Sequence, residues 1–211
     1  LRAARDASML HRSANQSRGK GASMPLLNPS QSWLPLEARF RAEKDPRTHR
    51  LMKEVRYHVE HEITGDLEAL MDTLTLDPIY HFYGGAHPTT LIGRAAIDAF
   101  YKQMIAAGGN QFELVIQRIV ADPGAVITEG HVKQVHTGKE LFAMGRRDIA
   151  GVPIANADLF LSTTQLLTVW PSDPDGKIVG EDIYFGEPPL SNVERITPGD
   201  LPKGYRWEHR V

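Results

Sequence analysis

His58 and Glu62 stand four residues apart in a segment whose apolar residues Leu51, Val55 and Val59 recur at helical spacing. On a helix that spacing sets one side chain above the other on a single face. A carboxylate beside an imidazole orients the ring and holds its proton, an arrangement suited to general-base catalysis near neutral pH. The same pair could equally be a solvated helix pair, since Glu60 and His61 beside it are just as polar. Cysteine is absent. Thiolate nucleophiles, disulfides and cysteine-held zinc are thereby excluded, and the chemistry falls to imidazole, carboxylate and hydroxyl groups. The nine histidines form no His-Xaa-His, and His58/His61 lacks a partner motif. His131 and His136 fall on opposite faces of one strand, so no metal site is expected. No glycine-rich phosphate loop follows a strand, and no cofactor is expected.

The elements that must position these groups can be read along the chain. Asp45-Pro46 is a good helix start, because Pro lacks the N–H that would be orphaned there. A helix is predicted from Arg47 to Ile63, broken at Thr64-Gly65-Asp66, and a shorter one from Leu67 to Leu74. Asp77-Pro78 opens a strand, Ile79–Tyr83, and a loop around His87-Pro88 follows. A third helix runs from about Arg94 to Ala107, ended by Gly108-Gly109. The spans 111–120, 125–136, 140–147, 157–170 and 177–185 read as strands, each separated by turn residues such as Asp122-Pro123-Gly124 and Thr137-Gly138. Helices segregated on one face of an antiparallel sheet make an α+β domain.

Composition bounds the partners. The 211 residues are 41% apolar and 24% charged, with a net charge of −2. Such a chain can bury a core but lacks the basic surplus of a dedicated nucleic-acid binder. Residues 1–23 carry five Lys or Arg against one acid, so the balance hides an acidic body behind a basic leader. The leader reads as a disordered upstream extension, with Met24 as a candidate start. Residues 24–45 hold Pro25, Pro29 and Pro35 and read as a largely extended arm. The domain is placed at 46–187, with a loop-like tail at 188–211. No apolar run approaches the ~18 residues of a membrane span. The expectation is a cytoplasmic protein that binds neither membrane nor nucleic acid.

Three segments, YHVEHEITGDLEAL (57–70), GRAAIDAFY (93–101) and DGKIVGEDIYF (175–185), in that order and spacing, resemble the nuclear transport factor 2-like superfamily, in its SnoaL-like branch. The resemblance covers about two-thirds of the chain. It implies a strongly curved antiparallel sheet wrapped around helices, a cone with an internal apolar pocket. Relatives of this kind include isomerases, dehydratases, polyketide cyclases, epoxide hydrolases and binding proteins without chemistry, so fold alone leaves function open.

The resemblance also suggests which side chains face the pocket. His58 falls where isomerase members place an oxyanion-binding tyrosine. Tyr80 and Phe82 would point inward, with Phe82 where those isomerases carry a base aspartate, so that base is not carried over. His81 would point away, unless a bulge shifts the strand by one and makes it the best base in the chain. Phe100 and Met104 would form wall, and Gln165 would lie near the isomerases' protonated aspartic acid. Phe185 inward brings Ile183 and Glu181 inward too. Thr128-Glu129 is followed by Gly130 and Val132 where epoxide hydrolases of the family carry Arg and Asp, which speaks against that route. The expected site is therefore His58, Glu62, Glu181, Tyr80 and His81 for chemistry, with Phe82, Phe100, Met104, Gln165, Ile183 and Phe185 around the substrate. The expected activity is cofactor-independent proton abstraction from a small apolar, aromatic or polycyclic substrate, as isomerase, dehydratase, cyclase or lyase, in a homodimer or higher homo-oligomer. The alternative is a non-catalytic binding or dimerisation module. His58→Ala is expected to abolish turnover and leave the fold intact.

Overall fold

Pro35 lies in the first turn of a helix, Leu34–Ala42 (α1), where its missing N–H costs nothing. The computed structural model describes residues 25–85 and 89–210; the leader over 1–23, Met24 and the His87-Pro88 loop lie outside the described residues. The arm over 25–45 is thus not largely extended. Leu36 of α1 is fully buried, and Glu37 pairs with Arg56 at 2.7 Å, which docks α1 on the next helix.

That helix, Pro46–Thr64 (α2), starts as expected. The Asp45 carboxylate accepts from the N–H groups of Arg47 and Thr48 at 3.1 and 2.8 Å, and left-handed Gly65 closes the other end. Asp66 caps a short helix, Leu67–Asp72 (α3). Strands Leu74–Tyr83 (β1) and Thr89–Ile92 (β2) follow, then helix Arg94–Ala106 (α4) and strands Glu113–Ala121 (β3) and Ala125–Thr137 (β4). The span 140–147 is not a strand. Thr137 and Glu140 form a reciprocal capping box that starts helix Gly138–Ala143 (α5). A small ribbon, Asp148–Ile149 (β5) with Val152–Pro153 (β6), leads into the long strands Leu159–Pro171 (β7) and Ile178–Phe185 (β8). The tail contributes a strand as well, Val193–Ile196 (β9), paired with the start of β7.

The main sheet runs β2-β1-β8-β7-β4-β3, with β9 beside β7. It does not close on itself. Its pairings are antiparallel except β1 with β8, which is parallel and forced by the chain path from one end of the sheet to the other. The core between its inner face and α2 and α4 contains Leu51, Val55, Val59, Ile97, Tyr101, Val126, Trp170 and Ile178. No helix among the described residues is long and apolar enough to cross a membrane.

The β1–β8 register decides the site. Leu74 pairs with Ile178, but Ile79 already pairs with Gly180, so five residues of β1 are matched by two of β8. The surplus contains Pro78, a residue that sheets tolerate at bulges because it has no N–H to donate. Beyond the irregularity the pairing is regular, Tyr80 with Glu181 and Phe82 with Ile183. Gly180 lies so close to β1 that a Cβ there would overlap the Ile79 carbonyl. Gly180→Ala is therefore expected to destabilise the protein by about 3–5 kcal/mol, the range of severe single substitutions, as read by chemical denaturation. A loss below ~1 kcal/mol would mean the strands can separate locally at no real cost.

Candidate functional site

Between the sheet and the two longer inner helices lies a cavity of ≈ 240 Å³. Its walls come from Phe82 of β1, Phe100 and Met104 of α4, Leu114 of β3, Val132 of β4, Leu166 and Trp170 of β7, and Ile183 and Phe185 of β8, with Phe112 beside them. Polar groups are few: Glu62 of α2, Gln134 of β4, Thr168 of β7 and Glu181 of β8. A wider depression of ≈ 520 Å³ lies against the C-terminal ends of α2 and α4 and the tail residues Gly204 and Arg206. It is lined by no carboxylate or imidazole, whereas two carboxylates line the smaller cavity.

Behind the cavity wall a buried polar cluster holds Glu181. His58 is wholly enclosed; its Nε2 lies 3.0 Å from the Tyr101 hydroxyl, 3.1 Å from Glu181 Oε1 and 3.3 Å from the Tyr80 hydroxyl. The Tyr101 hydroxyl is also 3.1 Å from both the Tyr80 hydroxyl and Glu181 Oε1. On the other side of the ring, Nδ1 is 2.7 Å from Thr73 Oγ1, while the Thr73 hydroxyl donates to the Leu70 carbonyl at 2.6 Å. With that hydroxyl proton committed, Nδ1 must be the donor to Thr73. Nε2 then faces Glu181 and the two tyrosines. There it is placed to accept a hydrogen bond from a tyrosine hydroxyl.

Glu62 is placed differently. Protein encloses it, yet part of its surface remains accessible, and that surface is cavity wall. It accepts no hydrogen bond from a described residue. Burial, and after it the nearby negative charge of Glu181, push its carboxyl well above the usual carboxylate range. Burial first and Glu181 second raise Tyr80 and Tyr101 above the ordinary phenol range too, so both remain protonated donors. Two carboxyls thus share one apolar cavity in unlike surroundings: Glu181 is gripped by polar partners, and Glu62 has none among the described residues and is biased by burial toward its neutral form. Environments that divide two carboxyls in this way are how one site comes to hold both an acid and a base.

The expected site residues separate accordingly. Glu62, Glu181, Phe82, Phe100, Met104, Ile183 and Phe185 line the cavity. His58 does not reach it. The cavity opens only beside the last turns of α2, and at the level of His58 the helix is covered by Trp170, whose ring centroid is 5.3 Å away. Glu62 is accordingly not the partner of His58; Glu181 takes that place. Tyr80 points inward but is buried beside His58 rather than in the cavity wall. His81 faces the outer side of the sheet, because the irregularity in β1 lies upstream of it and leaves its register unshifted. There it meets Asp182 at 2.7 Å. Gln165 is exposed on that outer side as well; Leu166 and Thr168 are the β7 residues that face inward, one place off the expected register. Tyr101 and Thr73 are site residues that the sequence reading passed over. Tyr101 stands four residues after Ile97, and a tyrosine in a buried stripe signals a hydroxyl that needs a buried partner. Thr73 carries no comparable signal.

The model of the SnoaL-like domain family matches residues 55–152. No curated protein matches the chain. Among solved structures, a provisionally named SnoaL-like polyketide cyclase from Jannaschia sp. CCS1 superposes with TM-score 0.50 at 14% identity, covering 68% of this chain and 90% of that one. An NTF2-like protein from Anabaena variabilis ATCC 29413 gives TM-score 0.49 at 14% identity, over 69% and 93% of the two chains. A provisionally named polyketide cyclase from Xanthomonas campestris pv. campestris gives 0.46 at 21% identity, over 66% and 93%. At such identities the likeness is one of fold. Glu62 lies inside the matched span and Glu181 beyond it, on the strand that completes the cavity. Residues 55–152 thus match the SnoaL-like domain, and the chain shares the α+β fold, with its large curved sheet, of the SnoaL-like structure from Jannaschia sp. CCS1.

Proposed function

We propose that this protein is a cofactor-independent enzyme that moves a proton on a small apolar substrate, with Glu181 as base and protonated Glu62 as acid. The observation that carries this reading is the pair of carboxyls in one apolar cavity, one hydrogen-bonded and one not. Glu181 would take a proton from a carbon next to a carbonyl. The Glu62 O–H would hydrogen-bond the enolate oxygen as charge develops there, which is where fixed donors contribute most. Return of the proton to a different carbon gives isomerisation; loss of a β-hydroxyl gives dehydration; attack of the enolate on a second carbonyl gives cyclisation, and its reverse a carbon–carbon lyase reaction. His58, Tyr80 and Tyr101 would act as positioning residues, keeping Glu181 aimed at the cavity.

A volume of ≈ 240 Å³ lies below the ~300 Å³ at which ordinary ligand pockets begin. It favours a substrate of one or two rings over a larger polycyclic one. Residues 46–187 would form the working domain, and the cysteine-free composition fits a cytoplasmic setting. The test is exchange of the α-protons of tetralone and related bicyclic ketones in deuterated water, followed by proton NMR. The protein should accelerate the loss of the α-proton signal over buffer alone. A rate equal to that of buffer across mono- and bicyclic ketones would defeat the reading.

A second reading concerns assembly. On the outer face Tyr83 and Tyr184 stack at 4.6 Å and remain partly exposed, with Ile79 on the same face of β1 beyond His81. This aromatic patch suits a homodimer formed through the sheet, and such a module need not be catalytic. Light scattering should then give twice the chain mass for the natural sequence and a monomer for Tyr184→Glu. A monomer in both cases would exclude this interface.

A further inference from the structure

We propose that the cavity binds hydrophobic organic cations, an ammonium group carried on a one- or two-ring body, in preference to neutral or acidic ligands of the same shape. Five aromatic rings line it, Trp170 among them, and aromatic faces attract cations. Two carboxyls stand among those rings, and among the described residues no Lys, Arg or His shares the wall. An apolar anion entering this space would meet carboxyl groups and no cation in the wall to receive it. A neutral ligand would meet a carboxyl whose neutrality is enforced by burial and by Glu181. An ammonium removes the cause of that neutrality, since its charge lies near Glu62 and Glu181 together and lets both be ionised.

The groups facing Glu62 bear this out in sign. Glu181 on β8 is negative when ionised, Tyr80 on β1 and Tyr101 on α4 are neutral donors, and His58 on α2 is turned toward Glu181. None of them supplies Glu62 with a cation, so the ligand can. The proton balance is simple: an ammonium enters from water, the Glu62 carboxyl gives up its proton, and that proton leaves to solvent. Turnover plays no part in this step, so the ligand class stands or falls apart from the proposed proton transfer.

The experiment is calorimetric titration of the full chain with aminotetralin, tetralol and tetralin carboxylic acid, at neutral pH, in buffers of different protonation enthalpy. The amine should bind about tenfold or more tighter than the alcohol, the scale of a cation–π contact joined to charge-assisted hydrogen bonds. It should also release a proton, whereas the alcohol releases none and the acid does not bind. In Glu62→Gln the proton release should vanish and the amine-to-alcohol preference should fall about tenfold, because one charge partner is gone. The inference is overturned by an alcohol that binds as tightly as the amine, by amine binding without proton release, by preferred binding of the acid, or by no binding of any of the three. The ratios in the natural sequence decide the matter even if the variant folds poorly. Slow α-proton exchange alongside tight amine binding would count against the proposed enzyme and leave this inference standing.

Discussion

Glu181→Gln is expected to lower the rate of α-proton exchange by about 10²–10⁴-fold, the usual contribution of a positioned general base. The amide keeps the size of the carboxyl and can still accept from the Tyr101 hydroxyl, now 3.1 Å from Oε1, but it cannot take a proton from carbon. Ketone affinity should change little, since the walls are untouched, so the loss should appear in kcat rather than in KM. Glu62→Gln should be milder, because an amide can still donate a hydrogen bond to an enolate oxygen. It should also stabilise the protein at neutral pH. A carboxyl whose folded value lies above its unfolded one costs stability once pH exceeds the unfolded value, so the gain should shrink as pH falls toward about 4. An exchange rate in Glu181→Gln close to that of the natural sequence would remove Glu181 from the chemistry.

His58→Ala is expected to unfold more readily, by about 3–5 kcal/mol, with Tm lowered by about 10 °C. This reverses the expectation that the fold would be left intact. The ring is wholly buried and meets hydroxyls of Thr73, Tyr80 and Tyr101 as well as Glu181. Truncation leaves a void and strips those groups of a partner. His58→Gln should recover part of the stability, since its amide can still donate on the Thr73 side. A positioning role also predicts a pH profile of exchange displaced from that of the natural sequence in His58→Gln, which packing alone would not produce. A melting curve for His58→Ala like that of the natural sequence would show that the cluster is not held through this ring.

The two main expectations about the site differed in how far sequence could reach. Glu62 and His58 are correctly placed on one helical face by their spacing. Spacing says nothing about where along that face a cavity begins, and Trp170, far away in the chain, fills the space at His58 while leaving it open at Glu62. Alternation correctly separated Tyr80 and Phe82 from His81. It misplaced Gln165, because a strand read without its partner has no absolute register, and a slip of one residue exchanges its faces. The helix over 138–143 was legible in the Thr137-Gly138-Lys139-Glu140 capping box, and a β-rich neighbourhood obscured it. Likewise Pro35 marks a helix start as well as it marks an extended arm; only the burial of Leu36 distinguishes them.

The sequence by itself determined most of the elements and the chemical repertoire. Capping residues, glycine stops and apolar periodicity are local, and the absence of cysteine is absolute. The tertiary structure alone decided which groups meet. His58, Tyr80, Tyr101 and Glu181 come from four elements spread over more than half the chain, and their convergence depends on a parallel pairing whose register is set at Gly180. The difference in surroundings between Glu62 and Glu181 arises there as well. Two identical carboxyls come to stand in unlike environments through burial and hydrogen bonding, which exist only once the chain has folded around them.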